Sequence, residues 1–299
     1  MTPTCNGVEI EDTFAEAFGM WGARVVITAA NRKWALEAAA QMTGFATSVI
    51  ACGCEAGIEG DADETPDGRP GVNVLVFAMS RDALVRQLNN RIGQCVLTCA
   101  TTSCFNGLPG DERVSVGGQL RFFGDGFQSS KLIGGRRYWR IPVMEGEFLI
   151  EDRFGVQRAI GGGNFLILGS DQAVALEAAE RAVDAIRRVP GVVTPFPGGI
   201  VRSGSKVGSK YRFLKASTNH AYCPGLRGIV DSALPEQANS VYEIVIDGLD
   251  ERSIEAATRE GVRAACIPGI RRISAGNYGG NLGKYKFYLR KILDEADAV

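Results

Sequence analysis

A single histidine, His220, serves a chain of 299 residues. That scarcity leaves a zinc site few partners and gives imidazole-based proton transfer one address only. No apolar run reaches the roughly 18 residues that a membrane helix needs, so no membrane partner is expected. The charges nearly cancel, with 33 Lys and Arg against 34 Asp and Glu for a net charge of −1. Without a basic footprint, nucleic acid is excluded as the main partner. The N-terminal stretch turns acidic early, at Glu9, Glu11 and Asp12, and lacks a basic-then-apolar export pattern, so a cytoplasmic location is expected.

The eight cysteines (Cys5, Cys52, Cys54, Cys95, Cys99, Cys104, Cys223 and Cys266) are too sparse for a secreted disulfide scaffold. Cys52-Gly53-Cys54 has one intervening residue where zinc knuckles have two or more. Buried, reduced thiols behaving as small hydrophobes account for them, with metal or redox work as the other reading. What the chain does have is a hydrophobic content of 45%, a charged content of 22% and 38 glycines. This is the composition of a globular protein with a full core and many turns.

Two similar series of elements follow from the pattern. In the first half, Ala23–Ala29 reads as a strand, and Asn31 caps a helix from Arg32 to Met42 that closes at Gly44. Strands are expected at Ser48–Cys52 and Val72–Ala78, a Ser80-capped helix closes at Gly93, and a strand follows at Cys95–Thr98. In the second half, strand Phe165–Leu168 precedes a helix over Gln172–Val189, and Val192–Thr194 leads into a long loop. A strand over Val241–Ile246, a helix from Glu251 to Ala265 and a strand at Ile270–Ser274 complete it. The doubled β-α-β-β-α-β order predicts an α+β fold of two ferredoxin-like α/β sandwich lobes. The seam is expected near Met144, giving lobes over 1–144 and 145–299, with extra strands around Leu120–Phe123 and Lys284–Leu289.

The stretch Thr194–Pro224 fits neither the strand nor the helix period, yet carries Phe196, Ile200, Tyr211, Phe213, Leu214 and Tyr222. It reads as a long ordered loop, the kind that is usually functional. Within it, Gly204-Ser205-Lys206-Val207-Gly208-Ser209-Lys210 suggests a phosphate loop and fails as one. The spacing is one residue short, Tyr211 stands where Ser or Thr would hold Mg²⁺, and no amphipathic helix follows. Anion binding by Lys206 or Lys210 and plain solvated charge both remain open. Gly161-Gly162-Gly163-Asn164 precedes a strand, whereas a dinucleotide fingerprint follows one. His220 is either polar surface or a general base. Glu243 shares a strand face with Val241 and Val245. Among such neighbours it is either a solvated edge charge or a desolvated acid whose raised pKa lets it donate a proton near neutrality.

Five long motifs, in order, carry a resemblance. They are Val8-Glu9-Ile10-Glu11-Asp12-Thr13-Phe14-Ala15-Glu16-Ala17-Phe18, Glu64-Thr65-Pro66-Asp67-Gly68-Arg69-Pro70-Gly71 and Pro195-Phe196-Pro197-Gly198-Gly199-Ile200, then Ser203 to Lys210 and Ser274-Ala275-Gly276-Asn277-Tyr278-Gly279-Gly280. Together they resemble the formylmethanofuran:tetrahydromethanopterin formyltransferases over nearly the whole chain. At Cys52-Gly53-Cys54-Glu55 and at Asn281 the chain departs from the archaeal pattern, which has Cys-Pro-Ala-Glu and Lys. Its near-neutral charge is also closer to the counterparts in methylotrophic bacteria.

The resemblance implies two ferredoxin-like lobes and a homotetramer, with neither metal nor prosthetic group. It implies methanofuran and tetrahydromethanopterin as cosubstrates, and hydrolase subunits of a formyltransferase/hydrolase complex as partners. Glu243 falls on the carboxylate with the family's acid/base role. Arg69, Gln94, Ser203, Lys206, Lys210, Ser217, Thr218, Asn219, Tyr222 and Asn277 are the substrate-binding residues it suggests, and Cys52, Cys54 and Cys223 are not nucleophiles on this view. A non-catalytic carrier-binding or scaffold subunit is the alternative, since no self-sufficient catalytic constellation stands in the sequence.

Overall fold

The β-branched run ending at Thr28 lies inside a longer strand, Phe14–Thr28, through which the chain passes from one compact unit to another. The computed structural model describes residues 4–294. One unit comprises Met20–Ala159, and the other joins the residues up to Gly19 with those from Ile160 on. The expected seam at Met144 is not where they part. Met144 is the turn of a hairpin whose strands, Arg136–Val143 and Gly146–Glu151, pair in register from Val143↔Gly146 to Tyr138↔Glu151. Hydrogen bonds running across that turn keep its two sides in one unit.

In the Met20–Ala159 unit the Phe14–Thr28 strand lies between Ser103–Asn106 and Gly71–Ala78, and Glu55–Asp61 pairs beyond the latter, all antiparallel. Helix Arg32–Thr43 starts where the Asn31 side chain accepts Trp34 N–H, and it ends where Gly44 N–H reaches Ala40 O and Gln41 O. Its Ala35, Ala38, Ala39 and Met42 are buried with Leu84 and Leu88 of helix Arg81–Arg91 and with the strand residues Val25, Ile27, Val74 and Val76. Each fully buried Leu or Val side chain contributes about 1.5–3 kcal/mol relative to exposure.

Three expected strands of this half are helical instead. Val49–Cys52 is a helical turn, because Ser48 Oγ accepts Ile50 N–H and Glu55 accepts Val49 N–H; the strand begins only at Glu55. The Cys95–Thr98 run continues the Arg81–Arg91 helix as a π-helical turn, Ile92–Val96, with Ile92 and Val96 buried. Thr102 Oγ1 then takes up the freed Val96 and Cys99 carbonyls, and the strand is Ser103–Asn106. Leu120–Phe123 falls in the helical turns Gly117–Leu120 and Arg121–Gly124.

The other unit repeats the order. Gln157–Gly169 lies between Ile270–Ser274 and Ser240–Gly248, and Val192–Val193 pairs beyond the latter, again antiparallel throughout. Gly161 to Asn164 are inside the first of these strands rather than ahead of it. Helix Gln172–Ile186 stops three residues earlier than expected, and helix Glu251–Ala265, capped by Asp250 on Ser253 N–H, runs as expected. Val8–Ile10 adds a parallel strand beside Ile270–Ser274, and Tyr285–Tyr288 pairs with the start of Phe14–Thr28. No helix among the described residues is long and apolar enough to cross a membrane.

Candidate functional site

Alternation along Ser240–Gly248 turns Ile244 and Ile246 into the core shared with Phe165 and Ile167, while Val241 packs beside Leu166, Leu168 and Ala238. Glu243 faces with Val241, opposite Leu166 on the neighbouring strand, and it is 5% exposed. Its backbone exchanges two hydrogen bonds with Val201, which leads the long loop back over the strand. From that loop Ser205 Oγ donates to Glu243 Oε1 at 2.6 Å. Oε2 has no hydrogen-bond partner among the described residues. Burial raises the Glu243 pKa above the ordinary carboxylate range, against the opposing pull of the Ser205 bonds. With Oε1 already accepting a proton, the acidic proton of the neutral form sits on Oε2. Glu243 is thus buried and is not a solvated edge charge.

A cleft opens beside this carboxyl, lined by Ser203, Thr218, Asn219, Tyr222 and Cys223 as well as Glu243. Gly204 makes the crossing possible. Its φ is +75°, and a Cβ there would lie 2.7 Å from Asn219 N. Tyr222 is held with its hydroxyl 3.3 Å from Ser274 Oγ, and burial raises its pKa. Cys223 Sγ lies 3.3 Å from Thr218 Oγ1 and 3.5 Å from Asn219 O.

The remaining sequence-derived binding residues are placed more diversely. Lys206 begins the two-residue strand Lys206–Val207, paired with Ala216–Ser217, and its Nζ lies 3.1 Å from His220 Nδ1. Ser217 Oγ donates to Gly208 O, and the exposed Lys210 stands on the loop between the two strands. Asn277 donates from Nδ2 to Thr13 Oγ1 and accepts Gly279 N–H. Arg69 and Gln94 belong to the Met20–Ala159 unit. Gln94 is exposed on the π-helical turn. The Arg69 guanidinium donates to Asp67, Thr101 O, Thr28 and Ser103, so most of its fork is already committed.

Ser205 and Tyr278 were not singled out as individual residues by sequence reasoning, although both lie in quoted motifs. Ser205 has a readable signal, a hydroxyl beside a glycine in a loop that must cross a strand. A second signal is charge. From Thr194 to Val230 the chain has Arg202, Lys206, Lys210, Arg212, Lys215 and Arg227 and no acid at all, so the loop forms a cationic margin within a nearly neutral protein.

Comparison with known proteins accounts for both halves of the chain. A family model described as formylmethanofuran-tetrahydromethanopterin formyltransferase matches residues 4–143. One described as its proximal lobe matches residues 146–292. A curated formyltransferase of this name from Methylobacillus flagellatus is 60% identical over 298 residues, covering 96% of this chain and 99% of that protein. The crystal structure of the Methanosarcina barkeri formyltransferase superposes with a TM-score of 0.93 at 55% identity, covering 97% of this chain and all of that one. A second structure, the Methylorubrum extorquens formyltransferase/hydrolase complex with methylofuran, gives a TM-score of 0.95 at 50% identity, covering 97% of this chain and 98% of that one. The chain therefore belongs to the formylmethanofuran–tetrahydromethanopterin formyltransferase family.

Proposed function

We propose that this protein moves a formyl group between the primary amine of a methanofuran-type carrier and N5 of tetrahydromethanopterin, directly, within a ternary complex. The observation that carries the reading is Glu243: a buried carboxyl, partnered on one oxygen only, at the wall of a cleft in a chain of this family. The acceptor nitrogen attacks the formyl carbon, a C–N bond forms, and the carbonyl electrons move onto oxygen. The attacking nitrogen loses a proton, the departing nitrogen gains one from Glu243 Oε2, and the second C–N bond breaks. Glu243 is left as a carboxylate that takes up the proton released by the attacking amine. The same group thus serves both directions, acid in one half and base in the other. No metal or prosthetic group enters this scheme, and no acyl-enzyme forms. Bringing two large carriers together supplies much of the remaining rate through lost translational freedom that binding has already covered.

The loop cations from Arg202 to Arg227 suit anionic extensions on the carriers, with Lys206 and Lys210 as contacts and Ser203, Thr218, Asn219 and Tyr222 around the reacting groups. Ser217, Asn277, Arg69 and Gln94 complete the proposed binding set, Arg69 through the part of its fork that is not already bonded. Each unit has the strand order fourth–first–third–second, antiparallel throughout, which supports a pair of ferredoxin-like lobes. Assembly as a homotetramer, association with hydrolase subunits and a cytoplasmic location complete the proposal. The likeness to a subunit of a formyltransferase/hydrolase complex supports the second of these.

The test is Glu243→Gln, whose side-chain oxygen still accepts from Ser205. Turnover of formyl-tetrahydromethanopterin with methanofuran is expected to fall about 10²–10⁴-fold, with both carriers binding as before. Wild-type turnover in this variant would remove Glu243 from the reaction. Binding of both carriers with no turnover by the purified wild-type protein would favour a scaffold role.

A further inference from the structure

Glu243 depends on a hydroxyl that the loop must deliver. Ser205 and Val207 are held in place by one side chain from a distant segment. Tyr278 Oη accepts Val207 N–H at 2.8 Å and donates to Ser205 O at 3.3 Å. A single phenol therefore grips the backbone on both sides of Lys206, directly behind the hydroxyl that meets Glu243 at 2.6 Å.

Tyr278 is in turn fixed from below by a carboxylate with no place in the chemistry. Glu16 is 2% exposed, and it accepts Tyr278 N–H at 2.8 Å, Gly280 N–H at 3.1 Å and Gly283 N–H at 2.6 Å, with Leu282 N–H as a fourth donor. The segment wraps this closely only because of its glycines. Gly279 and Gly280 adopt φ of +68° and +77°, and a Cβ on Gly283 would lie 2.1 Å from Ala17 O. At its start the segment is pinned by Asn164, which accepts Gly276 N–H at 2.6 Å and donates to Gly276 O at 3.3 Å. These contacts give Asn164 of the triple-glycine motif a task that has nothing to do with nucleotides.

We propose that Tyr278 is a positioning residue of the formyl transfer: anchored through its amide on Glu16, it holds the Ser205 hydroxyl on Glu243 Oε1 and so keeps Oε2 as the proton-bearing oxygen. The inference rests on the acid/base role of Glu243 given above. Charged and titratable side chains around the same cleft are Arg202, Tyr222 and Cys223, and Tyr278 lies within electrostatic reach of both Glu16 and Glu243. None of the first three bonds to Ser205, so Tyr278 is the only one of them placed to act through that hydroxyl.

Tyr278→Phe removes both hydroxyl bonds and keeps the ring and the amide on Glu16. The expected result is a kcat lower by about tenfold, the worth of one net hydrogen bond, with KM for either carrier little changed. The Ser205 bond favours the charged carboxylate, so loosening it moves the alkaline limb of kcat to higher pH, and Ser205→Ala moves it the same way. In the Ser205→Ala background, Tyr278→Phe is expected to add nothing further. A wild-type limb in Tyr278→Phe, or effects of the two changes that simply add, would overturn the assignment. Glu243→Gln run alongside separates the two claims. If it retains turnover, the proton-transfer reading has failed; if it is inactive while Tyr278→Phe behaves as wild type, only the positioning role has.

Discussion

Two buried carboxylates in one unit are pushed in opposite directions, and the difference is the number of amides that meet them. Burial acts to raise both. At Glu16 four backbone N–H bonds outweigh it and hold the pKa below the ordinary range, whereas at Glu243 the Ser205 bonds do not. For a raised carboxyl, the folded state binds the proton more tightly than the unfolded one. Its contribution to stability is therefore full below the ordinary carboxylate pKa and is lost as pH rises towards the raised value. Thermal unfolding of Glu243→Gln should then match wild type below the ordinary carboxylate range and exceed it at pH 8. A gap that closes with rising pH would mean that Glu243 is already ionised and well paired. Alternation along Val241–Ile246 put this residue on a face with Val241 and Val245 but left open whether that face is solvated or buried. Which oxygen is bonded was not readable, because the bond to Ser205 spans 38 positions and depends on how a loop without period closes.

At the scale of elements, the errors cluster where local chemistry overrides composition. Cys95-Val96-Leu97-Thr98-Cys99 has strand-like letters, yet the amphipathic helix before it does not stop at Gly93, so the helical winding continues and buries Val96. The helices capped by Asn31 and Ser80 were legible because their start signals are single residues with one geometric use. The Gly276–Gly283 loop carries no such signal for its carboxylate centre. Because the Glu16 pKa is lowered, the hold on this loop is present above the ordinary carboxylate pKa and lost as pH falls through the lowered value. Amide exchange at Tyr278, Gly280 and Gly283 should therefore lose protection before the Gly71–Ala78 strand does as pH falls below the ordinary carboxylate range. Simultaneous loss in both places would show that the loop has no acid-sensitive anchor of its own.

Over the whole molecule, the doubled order of elements was legible, and the expected seam at Met144 falls between the spans of the two family models but not where the compact units part. A seam is readable where composition changes, and the Arg136–Val143/Gly146–Glu151 hairpin hides that it is a turn inside a unit. The passages between units instead occur within the unbroken strands Phe14–Thr28 and Gln157–Gly169, where nothing in the sequence marks a break. One unit uses a continuous stretch of chain, while the other needs Glu16 to meet Tyr278 across 262 positions. Closing so long a loop costs entropy before any contact rewards it. In refolding followed by pulse-labelled exchange, the Gly71–Ala78 amides should gain protection before Tyr278 and Gly283. The reverse order would place the long-range closure in the folding nucleus.

That interleaving also sets a timetable for synthesis. As the chain leaves a ribosome, the segment from Met20 to Ala159 has all its partners early, while Glu16 waits for residues some 260 positions later. The surroundings of Glu243, where proton transfer is proposed, are therefore among the last things the chain assembles. A nascent chain halted before Tyr278 already contains Glu243 and Ser205 but lacks all four amide donors for Glu16. A shortened chain that folds its Met20–Ala159 unit but stops before Tyr278 therefore lacks the tyrosine that grips the backbone around Lys206.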